Sequence, residues 1–182
     1  MNKLIGLCGK KYHGKDTVGD FLVKEYGYTK ISFADKLKEV CKVLFNFTDE
    51  QLHGSKKEDI DEYWKISPRT AMQFIGTDLF REQLCKIMPH IGNNIWIEIV
   101  KKYILENKYK KIVVCDVRFE NESKMIHGLN GTVIKITRPS IINKDDHLSE
   151  TEIDKIKFDE EIINDGSISD LYKKICVLQC TN

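Results

Sequence analysis

A glycine-rich loop between a buried strand and a helix start constrains this chain more than any other feature. Residues Gly9 to Thr17 read Gly-Lys-Lys-Tyr-His-Gly-Lys-Asp-Thr and follow directly on the apolar run Leu4-Ile5-Gly6-Leu7-Cys8. The pattern is Gly-x4-Gly-Lys-[Ser/Thr] except at its last position, where Asp16 stands and Thr17 follows. Glycines let such a loop wrap a triphosphate with backbone N–H groups pointing inward, and the helix that starts there adds its positive dipole end. Gly9 and Gly14 shape the loop, and Lys15 supplies a point charge for the outer phosphates. A strand–loop–helix unit of this kind requires an α/β fold.

The chain of 182 residues is long enough for one domain with a sizeable core, and 41% hydrophobic with 31% charged residues is a globular composition. A formal net charge of +1, with lysines interleaved among acids, argues against a general nucleic-acid binder, which carries a basic stripe. No apolar stretch approaches the roughly 18 residues of a membrane span, and the start has no signal-peptide core. Six cysteines form no C-x-x-C pair. Cys8 and Cys115 sit in strand-like runs and are expected to be buried thiols, while Cys176 and Cys180 have no second ligand pair for zinc. A reducing, cytoplasmic compartment is expected.

Short β-type runs alternate with longer helical ones. Strands are predicted at Lys3–Cys8, Thr29–Phe33, Lys111–Cys115, Thr132–Thr137 and Glu160–Ile163. Helices are predicted at Lys15–Tyr26, Asp35–Phe45, Pro68–Ile75, Asn94–Glu106, Glu120–Leu129 and Ser167–Leu178. Near-continuous apolar strands suit a parallel sheet covered on both faces. Ser67-Pro68 reads as a helix cap, and Ser167 with Asp170 as a capping box. Asp49–Lys65 is a polar excursion, and Pro139–Phe158 a polar, flap-like linker.

Several side chains are candidates for chemistry. Asp16 either holds Mg²⁺, as a hard oxygen ligand, or caps the new helix. Asp116, ending the run Ile112-Val113-Val114-Cys115, would face the phosphate loop with Arg118 beside it; the bland alternative is a surface ion pair. Ser67 to Arg81 carries a helix start, a Gly76-Thr77 break and two arginines, which either grip phosphate or are simply solvated. Trp96 either stacks on a base or belongs to a core. Arg138 ends a strand at the same sheet edge. His147 and Glu150 lie in the polar flap, and His13, inside the loop, is expected to be exposed.

In order and spacing, these motifs resemble the deoxynucleoside monophosphate kinases of T-even bacteriophages and their viral relatives. The resemblance runs from Lys3 to about Ile175. It is carried by Gly-Lys-Asp-Thr at 14–17, Met72-Gln73 with Gly76-Thr77-Asp78-Leu79, Asp116-x-Arg118-x-x-x-Glu122, Gly131-x-Val133-Ile134 and Arg138-Pro139. His147-x-Ser149-Glu150 and Asn164-Asp165-Gly166-Ser167 complete it. That family itself carries Asp in the loop. The resemblance implies an α/β fold, a P-loop, nucleoside-monophosphate-kinase-like three-layer sandwich. Its central parallel sheet has five strands, with a small acceptor-binding region and a short lid. It implies a single P-loop kinase domain over 1–182, with an acceptor-binding region near 46–95 and a flap near 139–158.

The implied reaction moves the γ-phosphoryl of ATP to a deoxynucleoside 5′-monophosphate, with Mg²⁺. Gly9, Gly14, Lys15, Asp16 and Thr17 would hold ATP, with Asp16 toward Mg²⁺, directly or through water. Lys11, Lys38, Arg69, Gly76, Thr77, Arg81, Trp96, Asp116, Arg118 and Glu122 would line the acceptor site. Lys15, Arg118, Asp116 and Arg138 would carry catalysis. The implied partner is a small-molecule dNMP rather than nucleic acid or membrane, the chain being monomer or homodimer, in host cytoplasm if viral. The phage proteins carry a long segment before the Arg69 region, which Asp49–Lys65 replaces with a shorter one. Two alternatives stand: a phosphomevalonate-kinase-like enzyme and a non-catalytic ATP-binding module.

Overall fold

The computed structural model describes residues 4–141 and 152–181, with backbone alone at 179–181. Five strands, β1 (Leu4–Cys8), β2 (Thr29–Ile31), β3 (Ile112–Val117), β4 (Thr132–Thr137) and β5 (Glu160–Ile163), form one sheet in the order β2-β3-β1-β4-β5. Every pairing is parallel. The chain divides into two compact units, residues 1–32 with 101–182, and 33–100.

The first unit holds the sheet. The runs Leu-Ile-Gly-Leu-Cys and Ile-Val-Val-Cys are buried throughout, as strands covered on both faces must be. On one face, Val18 and Leu22 of α1 (Lys15–Tyr26) and Leu171 and Ile175 of α7 (Ile168–Thr181) pack with Ile5, Leu7, Val113, Ile134 and Ile136. Phe21 stacks on Tyr172 with ring centroids 4.1 Å apart, which locks α1 to α7. On the other face lies α6 (Glu120–Gly128), whose Ile126 would be 3.3 Å from a Cβ placed on Gly6. The sheet needs a small residue there. Helix α1 ends at Gly27, whose φ of 70° is the left-handed cap that glycine takes without strain. Ser167 and Asp170 form the expected reciprocal cap of α7.

Because all five strands run the same way, their C-terminal ends share one edge, where open α/β sheets bind ligands. In sheet order, Ser32, Asp116, the phosphate loop, Arg138 and Asn164 come from those five ends.

The second unit is helical. It contains α2 (Asp35–Phe45), α3 (Asp49–Leu52), α4 (Pro68–Gln73) and the start of α5 (Ile95–Glu106). Cys41, Phe47, Leu52, Ala71 and Ile75 form its core. Thr48 and Gln51 make a capping box for α3, and the Ser67 hydroxyl accepts from Thr70 N–H to start α4. The segment read as a polar excursion thus has its own short helix and a 3₁₀ turn at Ser55–Lys57.

Three sequence expectations need correction. Gly76-Thr77 does not break the helix: the winding widens to a π-helix over Phe74–Gln83 and tightens to 3₁₀ at Leu84–Lys86. Leu37 fills the space where a Gly76 Cβ would sit, and the Trp96 indole N–H donates to the Gly76 carbonyl at 2.9 Å. Strand β3 runs on to Val117, so Asp116 lies within it rather than after it. In the 139–158 stretch, Glu152–Lys155 form a 3₁₀ turn, and Ile153 and Ile156 are buried rather than solvated. Residues 142–151, with His147 and Glu150, lie outside the described residues.

Candidate active site

The loop after β1 has the shape its sequence requires. Gly9 (φ 140°), Tyr12 (φ 67°) and Gly14 (φ 103°) all have positive φ. A Cβ on Gly9 would collide with the Ile136 carbonyl oxygen, and one on Gly14 would lie 2.8 Å from Asn164 Nδ2. Neither position admits another residue without a shift in the chain. Gly14 caps α1 with no side-chain acceptor, as an anion-binding helix start requires. The Lys15 ammonium turns back over the loop and donates to the carbonyls of Gly9 at 2.6 Å and Lys10 at 2.8 Å. Two carbonyl dipoles that would repel an anion are thereby occupied by a cation that attracts it.

Asp16 is exposed (side chain 83%), with Oδ1 3.0 Å from Lys30 Nζ on β2. Lys30 also meets Asp20 at 2.9 Å. Burial works against the Lys30 ammonium, but hydrogen bonds to Asp20 and Asp16 outweigh it and hold its pKa above the ordinary lysine value. Thr17 is half-buried in the first turn of α1. Lys11 lies over the Tyr12 ring at 5.1 Å, and Lys10 pairs with Asp154 at 3.0 Å. Among the described residues no cluster of three or more metal-ligating side chains occurs. A lone exposed carboxylate such as Asp16, held here by Lys30, would suit Mg²⁺, which takes one or two carboxylates and otherwise phosphate oxygens and water.

Asp116 owes its position to a register shift: Gly6 pairs with Val114, yet Cys8 pairs with Val117. Such a bulge re-aims the side chain it carries. The half-buried Asp116 carboxylate accepts from Ser32 Oγ at 2.5 Å. Arg118 follows on a backbone held by Glu122, which accepts from the N–H groups of Arg118 at 2.8 Å and Phe119 at 3.1 Å. Glu122 is 2% exposed, so its visible work is to hold the turn that carries Arg118. Burial pushes the neighbouring thiols up, Cys8 to about 11 and Cys115 to about 12, which leaves them protonated and inert at neutral pH. His13 departs from its expected exposure. It is 7% exposed, because its ring turns into the protein toward Ile136 O (3.3 Å) and Arg138 N (3.2 Å).

The sequence-predicted residues therefore divide between the units. Gly9, Lys11, Gly14, Lys15, Asp16, Thr17, Asp116, Arg118, Glu122 and Arg138 belong to the first, and all lie at or just after strand C-terminal ends or in the first turn of the following helix. Lys38, Arg69, Gly76, Thr77, Arg81 and Trp96 belong to the second. There Lys38 lies 3.4 Å from His53 Nδ1, and burial, with Lys38 and Lys57 nearby, pushes the His53 pKa down. The Arg69 guanidinium pairs with Glu58, Gly76 is buried, and Thr77 is exposed beside it. Arg81 is half-buried on the π-helix. Trp96 is 4% exposed and packs on Phe80 at 5.2 Å. Ser32 and Lys30 were not singled out from sequence. Their only signal was a strand ending near the same sheet edge, and nothing in the sequence said which strand lies beside it.

Comparison with known proteins shows the family of the chain. The family described as deoxynucleotide monophosphate kinase matches residues 44–175. A protein of Acanthamoeba polyphaga mimivirus, provisionally named deoxynucleotide monophosphate kinase, is 40% identical over 180 residues, which cover 94% of this chain and 93% of that one. The deoxynucleotide monophosphate kinase of Enterobacteria phage T4 is 24% identical over 242 residues, covering 95% of this chain and 97% of the phage protein. That alignment exceeds the 182 residues of the chain, so the phage protein carries additional segments. Among solved structures, TT1252 of Thermus thermophilus shares the fold, with a TM-score of 0.51 at 15% identity over 98% of this chain and 96% of that one. This chain belongs to the deoxynucleotide monophosphate kinase family.

Proposed function

We propose that this protein transfers the γ-phosphoryl of ATP to a deoxynucleoside 5′-monophosphate, giving ADP and the diphosphate. The observation that carries the reading is a phosphate loop with Lys15 folded over it, on the same sheet edge as Asp116 and Arg118, in a chain of this family. Both reactants are polyanions, so catalysis is positioning and charge neutralisation rather than acid–base chemistry. Lys15 and the first N–H groups of α1 bind the ATP phosphates, and Gly9 and Gly14 let the backbone approach them. Arg118 neutralises charge that builds up on the transferred group. Ser32 orients Asp116, and Glu122 orients Arg118, so neither has to be ordered when substrate arrives. Asp16 would hold Mg²⁺, which would supply further neutralisation of the phosphate charge when bound.

Lys11, Lys38, Arg69, Gly76, Thr77, Arg81 and Trp96 serve the acceptor, and the stretch of about 46–95 is the acceptor-binding region. Arg69 offers a planar fork suited to a phosphate monoester, for which Glu58 holds the place. Trp96 serves through Gly76, by pinning the carbonyl at the head of the π-helix. Arg138 contributes a phosphate clamp. The protein works in cytoplasm, that of the host if it is viral, as a monomer or homodimer. None of the described helices is long and apolar enough to cross a membrane.

The test is ADP release from ATP and Mg²⁺ in a coupled assay, with dTMP, dGMP, dCMP, dAMP, their ribose counterparts and phosphomevalonate offered separately. Turnover with one or more deoxynucleotides is the expected result and names the bases. Turnover with phosphomevalonate alone, or ATP binding with no acceptor-dependent turnover, would overturn the reading.

A further inference from the structure

Two buried polar side chains with no part in the scheme above bracket the phosphate loop. His13 and Asn164 are each 7% exposed. Asn164 follows β5 directly, and its own N–H donates to Thr137 O at 2.7 Å, which extends the β4–β5 ladder by one step. From that rigid base its Nδ2 donates to the His13 carbonyl at 3.0 Å. The His13 ring reaches the other way, to the end of β4, with Nδ1 3.2 Å from Arg138 N and 3.3 Å from Ile136 O. A backbone N–H is a donor in every state, so the arrangement that satisfies Arg138 leaves Nδ1 unprotonated and accepting.

We infer that His13 and Asn164 are positioning residues that tie the phosphate loop to the ends of β4 and β5 and hold it in its anion-receptive shape. His13 also fixes the backbone of Arg138. The inference deepens the kinase reading and rests on it for its meaning. Tyr12, a non-glycine residue at φ 67°, gives the loop a conformation that persists only when its surroundings over-determine it. A phosphate loop must also turn its carbonyls away from the anion. Lys15 occupies those of Gly9 and Lys10, and Asn164 occupies that of His13. The fit is close, since the Asn164 amide sits where a Gly14 side chain would begin. With the amide gone, the His13 carbonyl can swing inward, and ATP pays for restoring the loop each time it binds.

The experiment compares His13→Leu, His13→Asn and Asn164→Ala with the wild type. The readouts are the Kd of ATP by titration calorimetry, KM for ATP and for the accepted dNMP, and thermal melting. His13→Leu and Asn164→Ala should each raise Kd and KM for ATP about tenfold, the scale of one lost hydrogen bond. KM for dNMP should stay within about twofold in Asn164→Ala, which leaves the Arg138 backbone held by His13. His13→Asn should stay within about threefold of wild type for ATP, because its Oδ1 replaces Nδ1 as the acceptor for Arg138 N–H. An unchanged Kd for ATP in both disruptive variants would overturn the inference. So would a His13→Asn protein as impaired as His13→Leu, or, in Asn164→Ala, equal losses for ATP and dNMP in step with lowered melting. If Asn164→Ala does not fold, the His13 pair decides. If the wild type binds ATP but no dNMP supports turnover, the kinase reading falls, while the Kd comparison still tests the clamp.

Discussion

Removing the Glu122 side chain should cost stability and activity together, and the structure sets the scale of each. The carboxylate is 2% exposed and accepts from two backbone N–H groups, those of Arg118 and Phe119. Glu122→Ala strands both donors in a buried turn at a cost of about 1–3 kcal/mol each, and part of this returns because a buried charge no longer has to be desolvated. A net loss of about 3 kcal/mol follows. Glu122→Gln keeps an oxygen of similar reach and should lose about 1 kcal/mol. For a protein of this size the Ala variant should melt roughly 6–12 °C below wild type. Because the same bonds set the Arg118 backbone, kcat/KM should fall about tenfold in the Ala variant and within about threefold in the Gln variant, since small misplacements of a charge clamp are costly. Differential scanning calorimetry and the coupled kinase assay read the two effects. An Ala variant that melts within 2 °C of wild type, or a Gln variant as damaged as the Ala, would refute the assignment of Glu122 to this turn.

Lys15→Ala and Arg118→Ala should each lower kcat/KM at least about 100-fold, or roughly 2.7 kcal/mol of transition-state stabilisation, and near-normal turnover would remove that residue from the mechanism. Asp16→Asn should raise the half-saturating Mg²⁺ concentration about fivefold or more, and an unchanged Mg²⁺ titration would take Asp16 away from the metal. The thiols of Cys8, Cys41 and Cys115 are pushed by burial from 9.0 to about 11, 11 and 12, so at pH 10 they stay protonated in the fold but ionise in the unfolded chain. The unfolded state then binds fewer protons, so stability falls as pH rises from about 9 toward 11 and is flat in these groups below pH 8. At pH 10 each contributes a loss on the order of 1 kcal/mol. Urea midpoints at pH 7.5 and 10 check this, and equal midpoints would contradict it.

Helices α1 and α2 and strands β4 and β5 run between the very residues the sequence predicts, because each is bounded by its own chemistry. Gly14 and Gly27 delimit α1, Asn46 closes α2 with a left-handed residue, and turn residues flank the short β-branched runs. The phosphate loop is equally legible, since its function is written in consecutive residues. What stayed hidden depends on partners distant in sequence. Ser32 and Asp116 meet only because β2 lies beside β3, and His13 is buried only because β4 and β5 end next to the loop. The β3 register shift and the π-winding after Gln73 are likewise not marked by any periodicity of the sequence, and Leu37 and Trp96, which meet the π-helix at Gly76, are distant in the chain.

The charges tell the same story from the side of the ligand. In the protein by itself, the cations assigned to phosphate already have oxygen partners. Lys15 has loop carbonyls, Arg69 has Glu58, and Lys30 beside the loop has Asp16 and Asp20. An exposed pair such as Arg69–Glu58 is worth only about 0–1 kcal/mol, so a phosphate carrying two charges can take over Arg69 at little cost. The carboxylates behave differently once displaced. Glu58 returns to water, but Asp16 sits at the phosphate loop, where a bare negative charge beside a triphosphate would oppose binding. A divalent cation held by Asp16 would relieve that repulsion, which is a physical reason for a loop with Asp in place of the usual hydroxyl to bind ATP together with its metal rather than ATP alone.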